Sequence, residues 1–269
     1  MAAERSIDHV VPLLSVRALS KRYMRGQWFS RKFPVTALDD VNLTVHPGST
    51  VALVGQSGSG KSTLARCVAH LTDSDSGEIW FEGRNLLTLS SADLFASPHR
   101  IQLIFQNSAA AMNPRFSAAE IVAEPLRIQR RAGKKERRRQ ALAMLDQVGI
   151  PAAWADRSAF EFSGGQRQRL VIARALVLRP KLLILDEALS GLDLSIQAQI
   201  ANLLIDLRAS FSLTYLYISH DLRLAAYLAD EMVVMQRGRI VESGSVVEMF
   251  SHPHHPHTQL LISSIPGLG

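Results

Sequence analysis

The residues most able to do chemistry in this sequence form one short run, Gly55-Gln56-Ser57-Gly58-Ser59-Gly60-Lys61-Ser62-Thr63. It fits the pattern G-x-x-x-x-G-K-[ST], follows the apolar run Val51–Val54 and precedes a helical pattern. Glycines at this spacing let successive backbone N–H groups turn inward around a phosphate. The N-terminus of the following helix adds its dipole and its free N–H groups. Lys61 is expected to reach the β- and γ-phosphates of a nucleotide, and the Ser62 hydroxyl to ligate Mg²⁺. Such a site needs an acidic strand end beside it. Leu182-Leu183-Ile184-Leu185-Asp186-Glu187 supplies one, with Asp186 facing Mg²⁺ and Glu187 as general base toward the attacking water.

These residues must be positioned by strands that end together. Val51–Val54, Leu182–Leu185, Tyr215–Ile218 and Met232–Met235 are uninterrupted apolar runs, the mark of strands buried on both faces. Helical patterns lie between them. Leu64, Ala65, Val68 and Leu71 follow the phosphate loop, and 118–149 is helical and very basic in its middle. A Gly-Gly turn at 164–165 opens a helix to about Arg179, and Ile196, Ile200, Leu203, Leu204 and Leu207 mark another. Strand–helix alternation predicts an α/β fold with a mainly parallel sheet. Ahead of it, 13–54 reads as short strands and turns interrupted by a basic, aromatic insert, Met24–Pro34, and 76–105 returns to short strands.

Further motifs resemble those of the ATP-binding-cassette (ABC) ATPases over roughly residues 13–245. Phe162-Ser163-Gly164-Gly165-Gln166 resembles that family's signature, Gln106 its Q-loop glutamine, Ser190-Gly191-Leu192-Asp193 its D-loop and His220 its switch histidine. Tyr23 corresponds to the aromatic that stacks on adenine. The resemblance implies a P-loop, RecA-like core with an N-terminal antiparallel β subdomain and a helical subdomain inserted at about 107–165. It also implies ATP and Mg²⁺ as cofactors, with Gln106 joining Ser62 and Asp186 at the metal and His220 contacting the γ-phosphate. Two cassettes would pair head to tail, so that Ser163, Gly164, Gly165 and Gln166 of one cap the ATP held by the other, with Asp193 in the D-loop between them. Phe162 stands where Leu is commoner in the family, and Gly191 where Ala is commoner. Both flank the polar contacts, so activity is expected to survive.

Within that family, Asn113-Pro114-Arg115, Glu124-Pro125-Leu126 and the C-terminal His252-Pro253-His254-His255-Pro256-His257-Thr258 resemble the importer ATPases for oligopeptides, dipeptides and nickel. Phe105-Gln106-Asn107-Ser108 departs from that group's usual FQDP, which bears on contacts with a permease. The resemblance implies a bacterial importer subunit, with peptide as the substrate and nickel or an opine as alternatives. Its partners would be a second ABC ATPase, two integral membrane permease subunits and, indirectly, an extracytoplasmic solute-binding protein. Its place would be the cytoplasmic face of the inner membrane, held peripherally. Residues 246–269 read as an importer-type tail with four of the nine histidines. Two prolines interrupt those histidines and the group's pattern accounts for at least two of them, so a functional metal site is not expected.

Composition bounds the rest. The chain has 269 residues, 47% apolar and 20% charged, with a formal charge of +6, within the range of globular proteins. Its one cysteine, Cys67, rules out an intramolecular disulfide or a CxxC zinc site. No run approaches the ~18–20 apolar residues of a membrane span, and the N-terminal apolar run is too short for a signal-peptide core. The charge is local. Residues 127–139 hold eight basic residues and one Glu, and 17–32 hold six basic residues and no acid. The body is therefore acidic. A nucleic-acid-acting ABC ATPase is not expected, because the 57 residues from Gln106 to Ser163 leave room only for a small helical subdomain and the chain carries one cassette. The basic segment 127–139 is expected to be a solvated helical face.

Overall fold

The computed structural model describes residues 11–25, 33–90 and 100–265. Two strands open the described chain, β1 (Leu14–Arg25) and β2 (Phe33–Val45). They pair antiparallel, and β1 also pairs with β4 (Ser76–Phe81), which pairs with the short β5 (Arg84–Asn85). The result is a four-stranded antiparallel sheet of order β2-β1-β4-β5. These strands are longer than the sequence suggests. Tyr23 pairs with Val35, Met24 with Pro34 and Arg25 with Phe33, so the ends of the basic insert belong to a hairpin. Its tip, 26–32, lies outside the described residues. Register shifts after Val16, Leu19 and Lys21 break the alternation that would have marked one long strand. Two left-handed residues sit in these bulged regions, Ala18 (φ 48°) and Asp40 (φ 54°), held by Asn42 Oδ1 and Ser20 Oγ, which accept their backbone N–H groups.

The larger sheet has six strands in the order β10-β9-β3-β8-β7-β6. They are β3 (Thr50–Val54), β6 (Ile101–Ile104), β7 (Leu182–Asp186), β8 (Thr214–Ser219), β9 (Glu231–Gln236) and β10 (Arg239–Ser245). β10 runs antiparallel to β9 and the other pairs are parallel. Every residue of β3, β7 and β8 is buried, and their side chains alternate between two apolar clusters. Val51, Leu53, Leu182, Ile184, Leu216 and Ile218 pack on the side of the small sheet. Ala52, Val54, Leu183, Leu185, Tyr215 and Tyr217 pack on the side of the helices. Continuous apolar runs arise here because both faces are covered.

Helix α1 (Lys61–Val68) buries Leu64, Ala65, Cys67 and Val68 in the cluster beneath the small sheet. It ends before Leu71, which is 59% exposed rather than part of the apolar face. His70 is left-handed (φ 56°) and turns the chain out. On the other side of the sheet lie α2 (Ala118–Ile128), α3 (Lys134–Gln147), α4 (Gly164–Leu176) and α5 (Leu194–Phe211). The basic stretch that reads as one helical region is two helices, separated where Arg130 and Ala132 adopt φ 53° and 56°. Ser117 with Glu120, and Ser163 with Gln166, form reciprocal capping boxes that start α2 and α4. A short helix, α6 (Leu222–Leu228), starts at Asp221, whose carboxylate accepts from the N–H groups of Arg223 and Leu224. The tail is folded. α7 (Val246–Ser251) and α8 (Pro256–Ser263) bury Met249, His257 and Thr258.

Candidate functional site

The parallel strands end together, and the chemistry-bearing residues follow those ends. Val54 pairs with Ser219, Asp186 with Ile218, and Ile104 with Leu185. Gly55, Glu187, His220 and Gln106 therefore all lie just past the carboxyl edge of one sheet, where open α/β sheets bind their ligands.

The phosphate loop turns from β3 into α1. Gln56, Ser57 and Gly58 are its exposed tip, while Gly55, Ser59 and Lys61 are buried. Gly60 caps α1 with φ 110°, and a Cβ there would sit 2.4 Å from the Ala37 carbonyl oxygen. Only glycine fits. The Lys61 ammonium lies inside the loop, donating to the carbonyl oxygens of Gly55 at 2.7 Å and Gln56 at 2.9 Å. Burial pulls its pKa down, partly countered by the nearby carboxylates of Glu187 and Asp186. The loop is gripped from outside as well. Gly238 N–H, in the β9–β10 turn, donates to Ser59 O at 2.9 Å, and Asp39 N–H donates to Gly238 O at 2.9 Å. That grip has no signal in the sequence beyond the Arg237-Gly238 turn pair.

Ser62 and Asp186 meet, although 124 positions apart. The Ser62 hydroxyl donates to Asp186 Oδ1 at 2.9 Å. Burial pushes the Asp186 carboxyl up; the Ser62 hydrogen bond opposes that, and the neighbouring Glu187 charge adds to it. Thr63 follows in the first turn of α1. Glu187 has a left-handed backbone (φ 49°), which is costly for a residue with a Cβ. It is held there by its N–H donating to Ile218 O at 3.0 Å and by Ser190, whose N–H and hydroxyl both donate to Glu187 O at 3.1 and 2.7 Å. This role of Ser190 was not legible in the sequence. The orientation leaves Glu187 Oε1 3.5 Å from His220 Nδ1, with the histidine side chain 63% exposed.

The other expected site residues lie apart from this cluster. Tyr23 is 38% exposed near the end of β1, with Lys21 Nζ 5.6 Å from its ring centre. Ser163, Gly164, Gly165 and Gln166 start α4, where Ser163 N–H donates to Gln166 Oε1 at 3.0 Å and Gln166 N–H to Ser163 Oγ at 3.4 Å. A Cβ on Gly165 would lie 2.7 Å from Ile196 Cγ2, so this glycine lets α4 and α5 approach. Phe162 anchors the segment from below, buried and edge-on to Trp154 with ring centres 6.2 Å apart. Gln106, Asn107, Gly164, Ser190, Gly191 and Leu192 line a groove of about 480 Å³. Asp193 caps α5 without a side-chain hydrogen bond. Among the described residues, no hydrogen bond, ion pair or cavity joins Ser163–Gln166 to the phosphate loop. One chain thus holds these two groups of residues apart.

Comparison with known proteins is consistent with this geometry. Residues 38–190 match the family described as ABC transporter. The dipeptide transport ATP-binding protein DppF of Haemophilus influenzae is 42% identical over 258 residues, 96% of this chain and 79% of its own length. The Escherichia coli protein of the same name is also 42% identical, with 96% and 77% covered. A putative peptide import ATP-binding protein of Brucella ovis is 44% identical over 255 residues, 95% of this chain and 79% of its own. Among solved structures, the ATP-binding cassette MJ0796, a dimer in a post-hydrolysis state with ADP and Pi, superposes with TM-score 0.75 at 27% identity. It covers 87% of this chain and 98% of that one. CbiO1 of Clostridium perfringens, part of the transporter complex cbiONQ, gives TM-score 0.79 at 27% identity, with 90% and 91% covered. With a phosphate loop, an acidic strand end and a glycine-opened helix on one such scaffold, the chain belongs to the ABC transporter family and carries its ATP-hydrolysing cassette.

Proposed function

We propose that this protein is an ATP-binding and hydrolysing subunit of a bacterial peptide importer. The observation that carries the ATP site is the Ser62–Asp186 contact beside the buried Lys61 ammonium. Peptide as the cargo is supported by relatives that are dipeptide and peptide import ATP-binding proteins across 95–96% of this chain.

The proposed chemistry follows from the residues. Phosphate oxygens of ATP would take the inward N–H groups of Gly55–Thr63, and Lys61 would exchange its carbonyl partners for the β- and γ-phosphates. Tyr23 would stack on the adenine. A hydroxyl and a carboxylate are hard oxygen donors, and Asp186, buried with its pKa raised, is a group that a cation would hold ionised; both fit Mg²⁺. Bound by Ser62, Asp186 and Gln106, Mg²⁺ would offset charge on the β- and γ-phosphates. Glu187 would accept the proton of the water that attacks the γ-phosphorus, ADP leaving on the opposite side. His220, next to Glu187, would steady the γ-phosphate. The separation of these two groups of residues within one chain supports head-to-tail pairing, with Ser163–Gln166 of a second ATPase closing over the nucleotide and Asp193 lying at the junction. The helix dipole and free N–H groups of α4 suit that anion.

The proposed partners are that second ATPase, two permease subunits and, through them, a solute-binding protein. Among the described residues no helix is long and apolar enough to cross a membrane, and we place the subunit peripherally on the cytoplasmic side of the inner membrane. In this reading 13–245 is the cassette, about 107–165 its helical subdomain and 246–269 the importer tail. Isolating the protein from membranes with its bound partners tests the assignment. A permease pair and a second ATPase whose ATP hydrolysis rises with a peptide-loaded binding protein is the expected result. A complex that responds only to nickel, or one with no permease, would contradict it.

A further inference from the structure

The folded tail and the phosphate loop line one cavity. Two backbone N–H groups, of His254 and His255, donate to the Glu242 carboxylate on β10 at 2.7 and 3.0 Å. The His255 ring then caps α8, its Nδ1 accepting from His257 N–H at 3.1 Å, and Pro256 occupies the first turn where its missing N–H costs nothing. This clamp delivers His257 to a polar cavity of about 140 Å³ whose other walls include Gln56, Ser57, Gly58, Ser59 and Arg237. His257 is only 6% exposed, and its Nε2 is buried with no hydrogen-bond partner among the described residues. Burial, with His255 alongside, lowers the pKa of this imidazole and so favours the neutral ring, which offers one donor and one acceptor.

A buried ring nitrogen left unpaired is unfavourable. The cavity is polar, and it exceeds the ~10–15 Å³ that one water needs. We propose that His257 is a positioning residue for the phosphate loop, holding the Gln56–Ser59 turn through an ordered water in this cavity. The tail would then be part of the ATP site, with Glu242 setting its approach and His257 making the contact. The ring never touches nucleotide. It favours the loop conformation in which the N–H groups already point inward, and so acts on affinity through preorganisation. This inference rests on the reading of Gly55–Thr63 as the ATP site.

The test is equilibrium binding of a fluorescent, slowly hydrolysed ATP analogue with Mg²⁺ to the full-length protein. One hydrogen bond of ordinary strength corresponds to a change of about two- to tenfold in affinity. His257→Ala is expected to weaken binding about fivefold, while His257→Gln, which keeps a polar group near the same place, stays within about twofold of wild type. Leu261→Ala removes apolar packing from the same helix without touching the cavity. It is expected to lower the melting temperature and leave affinity unchanged. The proposal is overturned if His257→Ala binds as wild type does, if glutamine fails to restore affinity, or if Leu261→Ala weakens binding equally. Lys61→Ala separates the two readings: if wild type titrates and Lys61→Ala does not, the ATP site stands however His257 behaves. A wild-type protein that binds no nucleotide overturns both.

Discussion

At the scale of single residues, the proposed site is a set of charged groups held in places that are unfavourable without a ligand. Lys61 is buried and bonded to carbonyl oxygens, Asp186 is buried with its pKa raised, and Glu187 is left-handed. Such conflicts mark places where stability is traded for function. Lys61→Ala is expected to reduce ATP hydrolysis about 100-fold or more, as loss of a charge-stabilising donor does; steady-state phosphate release checks it. Cys67 is a contrasting case. It is buried in the apolar face of α1, and desolvation pushes its thiol up to about 11. At pH 8 the native protein is therefore expected to resist iodoacetamide, with Cys67 alkylated only after denaturation; rapid labelling of the folded chain would count against this packing. The phosphate loop and Asp186-Glu187 were legible because that chemistry needs fixed residue types at fixed spacing. The support beneath them was not. Ser190 bonding to Glu187 O and Gly238 bonding to Ser59 O depend on close tertiary approach, and neither residue type announces it.

At the scale of elements, the site is set by strand ends and by two glycines that permit close packing. Gly60 joins loop to helix at φ 110° with a backbone oxygen against its missing Cβ, and Gly165 lets α4 meet Ile196 of α5. Gly165→Ala is expected to destabilise the fold by about 1–3 kcal/mol through overpacking, and Gly60→Ala by more, because a backbone oxygen yields less than a side chain. Urea unfolding of both variants measures this ordering, and the reverse ordering would contradict it. β3, β7 and β8 could be read directly from their apolar runs, since strands covered on both faces have no alternation to interrupt. β1 and β2 could not be read at full length, because their bulges shift the alternation between faces. The break between α2 and α3 was hidden for another reason. It is made by left-handed Arg130 and Ala132 rather than by glycine or proline alone.

At the scale of the whole molecule, the basic segment 127–139 is held partly by local contacts. Arg138 makes a bidentate contact with Asp156, Arg139 another with Glu136, and Arg137 donates to Ala132 O. These are exposed interactions of small energetic weight, as expected of a solvated helical face. Replacing Arg137, Arg138 and Arg139 together by alanine is expected to leave membrane association and transport unchanged; loss of sedimentation with membranes would instead assign this face to lipid or partner. In the proposed mechanism, the groups of residues held apart in one chain form complete ATP sites only between two chains. Glu187→Gln leaves Gly55–Thr63 and Asp186 in place and removes the proposed proton acceptor. Light scattering of this variant with ATP and Mg²⁺, alone and with its copurifying ATPase, tests that claim most directly. A stable ATP-bound dimer that releases no phosphate is expected. A variant that stays monomeric in both settings, or turns over ATP at the wild-type rate, would contradict it.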